Sequence, residues 1–441
     1  MFGTSGVRGR VGEVVTADLA LSIGRAVGST DVERAVVGRD PRDSGRVLVD
    51  AVAAGLRECG VDVVDLGLAA TPTVARAIAW QEADAGVSVT ASHNPPEDNG
   101  LKLWTPSGQA YDTDRRAEIE RLVEEEAYDL AGWDGHGSRT DWADARERHA
   151  AALVETGDGS LGGDLSVVVD VGNGAGGVTA DALFELGCDV RTLNAQPDGR
   201  FPGRPSEPTA ETLAALCSTV AATDADLGVA HDGDADRMMA VDETGEFVPG
   251  DVLLALFGRA AVENASANRI AAPVDTSLAV DDHLAAVGAE VVRTRVGDVY
   301  VAERASEADV AFGGEPSGAW IWPGETLCPD GPLAAVRLAA LVAARGSFAA
   351  MVEAVDTYPI RRDSFEVEDR HERMADVAAL VAERYDDVST LDGVRVGTED
   401  GWLLVRASGT QPLIRVTAEA RSAERADDLF EEARALVADA A

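Results

Sequence analysis

Lysine is nearly absent from this 441-residue chain, because every basic residue except Lys102 is an arginine. Cysteine is scarce as well, and the four present lack CxxC spacing and histidine partners, which argues against a disulfide framework or a zinc site. No apolar run approaches the roughly 20 residues of a membrane span, and no signal-peptide core follows the first residue. We therefore expect a soluble, cytoplasmic protein with reduced thiols and no contact with a membrane.

Positively charged residues are few, since the chain has 78 acidic residues and only 38 lysines and arginines, which give a net charge of −40. The sequence has no basic stripe that could neutralise phosphates, so we expect no nucleic-acid partner. Apolar residues still make up 46% of the chain, which predicts packed cores and not disorder. Arginine in place of lysine on an acidic surface indicates adaptation to a high-salt cytoplasm, such as that of a halophilic archaeon.

A weak internal repeat organises most of the chain. Each of three blocks has an apolar run that ends in aspartate, a helical pattern, a second strand opened by glycine, and a third strand that leads into a polar loop. The aspartates are Asp40, Asp170 and Asp275. Strands that alternate with helical patterns predict α/β units with largely parallel pairing.

The predicted fold class is α/β: three tandem α/β units of similar topology plus a C-terminal α+β domain, around one central cleft. The length fits three or four domains. We place them at residues 1–145, 146–248, 249–352 and 353–441. The equivalent polar loops are expected to face the shared cleft, and we expect a monomer or a homodimer.

The segment DAGVSVTASHNPPEDNGLK, residues 84–102, changes from a β-branched strand into a polar loop. Its prolines fix a backbone that presents Ser92 and His93 at a strand end, where α/β sheets hold their ligands. A plain turn, in which Ser92 bonds only to nearby backbone, is the alternative. Lys102 lies ten residues after Ser92, and a single retained lysine implies a task that arginine cannot perform, such as exchanging a proton. Chance survival of one lysine is the alternative there.

A second loop, HDGDADR at residues 231–237, places Asp232, Asp234 and Asp236 at alternate positions after an apolar strand. Three carboxylates so close resist joint ionisation unless a cation binds them. The spacing also matches a calcium EF-hand loop, but Arg237 stands where that loop needs glycine and the flanks have the pattern of strands. An all-oxygen site with few protein ligands favours Mg2+, and a solvated acidic turn is the alternative.

Two further loops suit a phosphorylated sugar. GGEPSG at residues 313–318 offers Glu315 and Ser317 to sugar hydroxyls. RASGTQPLIRV at residues 406–416 combines two arginines with hydroxyls and backbone amides, which suits a phosphate. The loop FGTSGVRG, which contains Arg8, is similarly suited to an anion. Each of these loops could also be an ordinary surface turn.

The motifs FGTSGVRG, TASHNP with NGLK, DGDADR, GEPSG and RASGTQPLIRV, in this order, resemble the α-D-phosphohexomutase family over essentially the whole chain. The resemblance implies an enzyme that interconverts hexose 6-phosphates and hexose 1-phosphates. It implies a phosphoserine enzyme, a hexose 1,6-bisphosphate as activator and intermediate, Mg2+ as cofactor and a small hexose phosphate as substrate.

The resemblance also implies a role for individual residues. Ser92 would carry the phosphoryl group, and the Mg2+ ligands would be Ser92, Asp232, Asp234 and Asp236. The transferring phosphoryl group would be surrounded by Arg8, His93, Lys102 and Arg237. Sugar hydroxyls would be bound by Glu315 and Ser317, and the non-reacting phosphate by Arg406, Ser408, Gly409, Thr410 and Arg415.

Within the family, the EPSG form of the sugar loop differs from the EMSG form typical of phosphomannomutase/phosphoglucomutases and from the bacterial EQSG form. It resembles archaeal-type sequences assigned to glucosamine phosphate, which we expect as the substrate. Mannose or glucose phosphate is the alternative, and a non-catalytic sugar-phosphate sensor is the remote one. Many relatives follow this loop with histidine, whereas this chain has Ala319.

The charge predicts that stability depends on salt. The Debye length is about 30 Å at 0.01 M salt and about 3 Å at 1 M, so surface carboxylates repel one another across the molecule only in dilute buffer. We expect the thermal unfolding midpoint to fall when KCl is lowered from molar to millimolar concentration. A midpoint that stays constant over this range contradicts the high-salt interpretation.

Overall fold

The computed structural model describes residues 2–3, 6–157, 161, 165–367, 369–408 and 413–440 of the chain. The chain forms two compact units, one of Met1–Gly250 with Ser317–Val352 and the other of Asp251–Pro316 with Glu353–Ala441. Among the described residues, no helix is both long and apolar enough to cross a bilayer.

The first unit begins with a six-stranded sheet. Its strands are β1 (Val7–Arg10), β2 (Arg34–Arg39), β3 (Asp62–Leu68), β4 (Ala85–Val89), β5 (Asp98–Trp104) and β6 (Arg139–Asp141), in the order β1-β5-β4-β2-β3-β6. The helices are α1 (Ala17–Gly28), α2 (Gly45–Glu58), α3 (Thr71–Trp80), α4 (Thr113–Glu124) and α5 (Ala145–Thr156). β2 pairs in parallel with β3 and β4, whereas β5 returns antiparallel to β4.

Helices cover both faces of this sheet. Successive side chains of a strand point to opposite faces, so neighbouring residues of one strand pack against different helices. Val37 of β2 belongs to the core that includes Leu48 of α2. Its neighbour Val36 belongs to the core that includes Ile78 of α3. The buried, β-branched pattern of the central strands is thus the pattern of a sheet with two covered faces.

The second sheet of this unit has the same central arrangement. Its strands are β7 (Ser166–Asp170), β8 (Asp189–Leu193), β9 (Leu227–His231), β10 (Met238–Asp242) and β11 (Phe247–Val248), in the order β11-β10-β9-β7-β8. β7 pairs in parallel with β8 and β9, and β10 returns antiparallel to β9. The remaining elements are α6 (Val178–Glu185), α7 (Ala214–Ala221), β15 (Ala319–Ile321), α11 (Gly331–Arg345) and α12 (Phe348–Glu353).

The second unit contains three parallel strands and an antiparallel sheet. β12 (Arg269–Pro273) pairs in parallel with β13 (Glu290–Thr294) and β14 (Val310–Glu315), with helices α8 (Gly250–Glu263), α9 (Leu278–Ala285) and α10 (Asp298–Ala305). The antiparallel strands are β16 (Ile360–Glu366), β17 (Val388–Ser389), β18 (Val394–Gly397), β19 (Gly401–Ala407) and β20 (Leu413–Ala420), in the order β16-β20-β19-β18-β17. Helices α13 (Arg370–Arg384) and α14 (Ala423–Asp439) contribute to its core.

The predicted fold class is confirmed, since three segments share one α/β topology and the C-terminal segment is α+β. In each of the three, the first strand of the repeat is central and pairs in parallel with the second and the third: β2, β7 and β12. The expectation of largely parallel pairing needs one addition. After the polar loops of the first two segments, the chain turns back into an antiparallel strand, β5 or β10, and so keeps the loop at the edge of the sheet.

Candidate active site

Ser92 lies three residues beyond the end of β4 and is only 1% exposed. Its backbone N–H donates to Thr90 Oγ1 over 2.8 Å, which closes a tight turn. Its φ of 51° lies in the left-handed region that residues other than glycine rarely adopt. A conformation of this kind costs on the order of 1–3 kcal/mol and persists only where the surrounding contacts enforce it.

The three aspartates of the second loop follow β9 and converge on the same place. Asp232, Asp234 and Asp236 are all buried, and their carboxylates offer oxygen atoms within 4.8 Å of one another. Ser92 Oγ donates to Asp232 Oδ2 over 2.5 Å and lies 3.4 Å from Asp236 Oδ1. The structure therefore places the predicted nucleophile against the predicted metal loop, across a sequence distance of 140 residues.

Lys102 reaches this cluster from β5, where it pairs with Ser88 of β4. Its Nζ donates to Asp234 Oδ2 over 2.9 Å and also to Asp236. The side chain is buried, so its ammonium interacts with these carboxylates in a medium of low dielectric constant. This ammonium pairs with two of the three carboxylates, so the cluster still offers carboxylate oxygens to a cation.

The pKa values of the carboxyls differ according to their partners. Burial, reinforced by the charges of Asp236 and Asp234, raises the pKa of Asp232 well above its ordinary value. Burial also opposes ionisation of Asp234, but Lys102 and the hydrogen bond from Thr71 outweigh it and hold the pKa of that carboxyl below its usual range. Of these two carboxyls, Asp232 is thus the one that needs a further positive charge to remain ionised.

The donor set fits Mg2+. Asp234 Oδ1 is buried and accepts no hydrogen bond from the described residues, so a lone pair remains for a cation. All the candidate ligand atoms are oxygens, from three carboxylates and the Ser92 hydroxyl, and hard divalent cations prefer such ligands. An EF-hand is excluded by the structure, because the loop joins strands β9 and β10 and no helix flanks it.

The other residues predicted to surround the phosphoryl group are Arg8, His93 and Arg237. Arg8 lies on β1 opposite Gly100 of β5. The backbone N–H of Arg237 donates to Asp232 Oδ1 over 3.2 Å, and its guanidinium donates to Glu207 Oε1 over 3.1 Å. His93 Nδ1 is 3.4 Å from Ser92 Oγ. Burial, followed by the charges of Arg237, Arg8 and Lys102, lowers the pKa of His93 to about 2, so its imidazole is neutral.

Thr71 also belongs to this site, although the sequence analysis did not identify it. It is the first residue of α3, and its Oγ1 donates to Asp234 Oδ2 over 2.6 Å. Its backbone N–H donates to the carbonyl oxygen of the same aspartate over 2.9 Å. A Thr-Pro pair at the start of a helical pattern is an ordinary helix signal, and nothing in it indicates a contact 163 residues away.

The second unit contains the predicted phosphate residues. Arg406 of β19 pairs with Arg415 of β20, which in turn pairs with Ser364 of β16. These strands line a cavity of about 490 Å3 that also includes Arg362 and Asp275. Burial raises the pKa of Asp275, and the nearby charges of Arg406 and Arg362 oppose that rise. Its three arginines outnumber the two aspartates of the lining, Asp275 and Asp363, which makes the cavity suitable for an anion.

The other predicted residues are more dispersed. Glu315, at the end of β14, accepts the N–H of Gly297 over 2.7 Å. Ser317 is exposed and belongs to the first unit. Ser408 is buried and donates its N–H to the carbonyl oxygen of Leu413. Gly409 and Thr410 lie outside the described residues, as do Thr4 and Ser5 of the FGTSGVRG loop.

Family models match nearly the whole chain in order. Residues 1–129, 148–245 and 249–358 match α/β/α domains I, II and III of phosphoglucomutase/phosphomannomutase. Residues 364–436 match the C-terminal domain of the same family.

Curated relatives are similar over their full length. A probable phosphoglucosamine mutase from Methanopyrus kandleri is 46% identical over 98% of this chain and 96% of its own. Another from Methanococcoides burtonii is 44% identical over 100% of this chain and 99% of its own. Among solved structures, a phosphoglucomutase/phosphomannomutase family protein from Burkholderia thailandensis is 29% identical with a TM-score of 0.88, covering 99% of this chain and 98% of its own.

The strained turn at Ser92 predicts an unusual order of stabilities. With φ at 51°, a glycine avoids the clash that a Cβ causes. We therefore expect Ser92→Gly to have a higher melting midpoint than Ser92→Ala, with a free energy of unfolding larger by about 1 kcal/mol. Ser88, a buried serine of the extended strand β4, is the matched control. There we expect Ser88→Gly to have a lower melting midpoint than Ser88→Ala. Thermal midpoints of the four variants test this. Glycine below alanine at both positions would show that the turn stores no strain.

Proposed function

Since the chain belongs to the phosphoglucomutase/phosphomannomutase family of α-D-phosphohexomutases, we propose that it interconverts glucosamine 6-phosphate and glucosamine 1-phosphate. The observation that carries this proposal is the buried Ser92 hydroxyl, 2.5 Å from Asp232, within a cluster completed by Lys102 and two further aspartates. The curated relatives named probable phosphoglucosamine mutase support the choice of sugar.

In the proposed reaction, Ser92 carries a phosphoryl group in the resting enzyme. The O–P bond of phosphoserine breaks as a sugar hydroxyl oxygen bonds to phosphorus, and a hexose 1,6-bisphosphate forms. The bisphosphate turns over, and its other phosphoryl group returns to Ser92 Oγ, so that the phosphate has moved between positions 6 and 1. Phosphoryl transfer requires mainly positioning and neutralisation of charge, which a buried cluster of fixed groups supplies.

The residues around Ser92 divide these tasks. Arg8, Arg237 and the ammonium of Lys102 neutralise the transferring group, and Lys102 with its neighbours assists the transfer of the hydroxyl proton. Neutral His93, with Nδ1 3.4 Å from Ser92 Oγ, contacts the same group without adding charge. The low exposure of Ser92 limits the access of water, which would otherwise hydrolyse the phosphoserine.

The proposed Mg2+ ligands are the oxygens of Asp232, Asp234 and Asp236, together with a phosphoserine oxygen at Ser92. A bound divalent cation supplies charge stabilisation to the phosphoryl oxygens. Thr71 and Lys102 both donate to Asp234 Oδ2, so they fix one face of that carboxylate and leave Oδ1 for coordination.

At the sugar, we propose that Glu315 and Ser317 bind hydroxyls and that Arg406, Ser408, Gly409, Thr410 and Arg415 bind the non-reacting phosphate. The three arginines at the cavity of the second unit support the second assignment, and Arg362 joins the set. Ala319 is buried and forms an isolated antiparallel β-bridge with Arg237. Its side chain is a methyl group, which can offer the sugar no hydrogen bond. This favours a pocket that tolerates changes at the sugar's 2-position, and phosphomannomutase/phosphoglucomutase activity is therefore the second candidate.

The boundaries at residues 1–145, 146–248, 249–352 and 353–441 remain a proposal about domains. Each of the first three segments includes one set of parallel strands, and the last includes the antiparallel sheet, which supports them. We also propose a cytoplasmic enzyme adapted to high salt, on the basis of the net charge of −40. We propose that it is a monomer or a homodimer.

Turnover of glucosamine, mannose and glucose 6-phosphates, measured side by side in molar KCl, tests the function. We expect all three to react, with glucosamine phosphate preferred by a ratio of kcat/KM of only ~10 to 100, the 1.4 to 3 kcal/mol that one or two hydrogen bonds supply. Ser92→Ala should abolish turnover, and intact mass should show one phosphate on the wild type and none on this variant. No turnover of any sugar, with phosphate binding retained, would favour a sensor instead.

The proposed metal site predicts that removing one carboxylate charge weakens the binding of a divalent cation. Asp234→Asn keeps the shape of the side chain but removes the charge that faces the cation, so we expect the affinity for Mn2+, used as a spin probe in place of Mg2+, to fall at least ~10-fold. Electron paramagnetic resonance of free Mn2+ measures this without any turnover. Asp242→Asn changes a buried aspartate on neighbouring β10 and should leave Mn2+ affinity unchanged. Full turnover after removal of all metal by a chelator would contradict the site.

A further inference from the structure

We propose that Arg42 is a positioning residue for the Ser92 hydroxyl, an inference that rests on the proposed function. Arg42 is buried, with 1% of its surface exposed, and it follows β2 in the sequence GRDPRDSG. In a chain whose basic residues are almost all arginine, nothing in the sequence distinguishes it. Its contacts distinguish it, because they are made almost entirely to the loop that carries Ser92.

The guanidinium of Arg42 is surrounded by carbonyl oxygens of this loop. Its NH2 group donates to the carbonyl oxygen of Ser92 over 2.9 Å and to that of Asn94 over 2.6 Å. Its NH1 group donates to the carbonyl oxygen of Asp98 over 2.9 Å and to that of Pro95. Four carbonyl groups of one seven-residue turn, residues 92–98, therefore point to a single side chain.

The fifth N–H of the guanidinium anchors it to the sheet. Nε donates to Asp40 Oδ2 over 2.9 Å, and the backbone N–H of Arg42 donates to the other oxygen of that carboxylate over 3.1 Å. Thr90 Oγ1 also donates to Asp40, over 2.8 Å, and accepts the N–H of Ser92. Asp40 and Arg42 thus hold the peptide groups on both sides of Ser92.

This arrangement explains how the backbone of Ser92 keeps its φ of 51°. A turn in the left-handed region persists only where neighbouring contacts enforce it, and here they fix both the N–H and the carbonyl of the residue. The direction of the Cα–Cβ bond follows from these two peptide planes, and it aims Oγ at Asp232. Arg42 itself makes no hydrogen bond to Oγ, so it acts through the backbone.

Lysine cannot replace arginine in this position. An arginine presents five N–H donors in a planar, rigid fork, and all five are used here. A lysine ammonium has three donors on a flexible stem, so at least two of these acceptors would lose their partner. The guanidinium also lies over the Phe201 ring, 5.0 Å from its centroid, a contact that suits a planar cation.

The second repeat has the same device. Arg204 donates from Nε to Asp170 Oδ2 over 2.7 Å and from NH2 to the carbonyl oxygen of His231 over 2.6 Å. Asp40 follows central strand β2 and Asp170 ends central strand β7, so the two pairs occupy equivalent places. His231 directly precedes the aspartate loop. The first two repeats therefore each use a buried Asp–Arg pair to hold the start of a functional loop.

The test compares Arg42→Lys with the wild type in molar KCl. Small misplacements of a reacting group can cost 10²-fold in rate, so we expect kcat to fall ~100-fold while KM changes by less than about twofold. The rate at which glucose 1,6-bisphosphate phosphorylates dephosphorylated Ser92, followed by intact mass, should fall by a similar factor. Hydrogen exchange of peptides that cover residues 92–98 should accelerate, because the loop opens more often.

Arg76→Lys is the matched control. Arg76 is nearly buried and donates from Nε to Asp330 over 2.7 Å in the same unit, but it makes no hydrogen bond to the Ser92 loop. We expect it to lower the melting midpoint while leaving kcat and the phosphorylation rate within about threefold of the wild type. If Arg42→Lys does not fold, Asp40→Asn replaces it, since that change removes the anchor of the guanidinium and should slow phosphorylation in the same way.

The inference is overturned if a folded Arg42→Lys or Asp40→Asn phosphorylates Ser92 at the wild-type rate. It is also overturned if Arg76→Lys loses as much rate, because the effect would then be general loosening of the fold. Failure of the proposed function is distinguishable, since in that case the wild type itself turns over no hexose phosphate. Exchange of residues 92–98 then still decides whether Arg42 holds the loop.

Discussion

The first unit depends on burying three carboxylates and one ammonium next to a serine. Charges removed from water are costly unless they are paired and hydrogen-bonded. Lys102 satisfies part of this demand through Asp234 and Asp236, and Asp232 keeps the hydroxyl of Ser92 as its partner. No local segment could assemble such a cluster, so the carboxyl ends of β4 and β9, strands of two different sheets, must meet there. The antiparallel return of β5 brings Lys102 back to the same edge.

Backbone strain is the second common feature of the two loops. Ser92 and Ala235 both have positive φ, at 51° and 58°, and neither is glycine. Strain of this kind at a functional loop is maintained by surrounding contacts. Around Ser92 these contacts come from Thr90 and Arg42, both of which are held by Asp40. The hydroxyl of Ser206 also donates to the carbonyl oxygen of Ser92, over 2.9 Å. Contacts within the protein thus fix the conformation of the loop.

The α/β repeats were predictable, because strand and helix patterns recur with an aspartate in the same place. Ser92 and the aspartate loop were also identifiable, since their unusual residues are close together in sequence. Thr71 and Arg42 were not, because their roles depend on partners 163 and 50 residues away. A threonine before a proline and an arginine in an arginine-rich chain have no local feature that separates them from ordinary structural residues. Only the folded chain shows which carbonyl and carboxylate oxygens they contact.

The isolation of Lys102 has a practical consequence for chemical labelling. Reagents that acylate amines will find no exposed lysine side chain on this protein, since its single lysine is 2% exposed and donates to two carboxylates. Apart from the terminal amine, modification can occur only when β5 or the aspartate loop opens. The rate at which Lys102 is acylated would therefore measure how often the site opens.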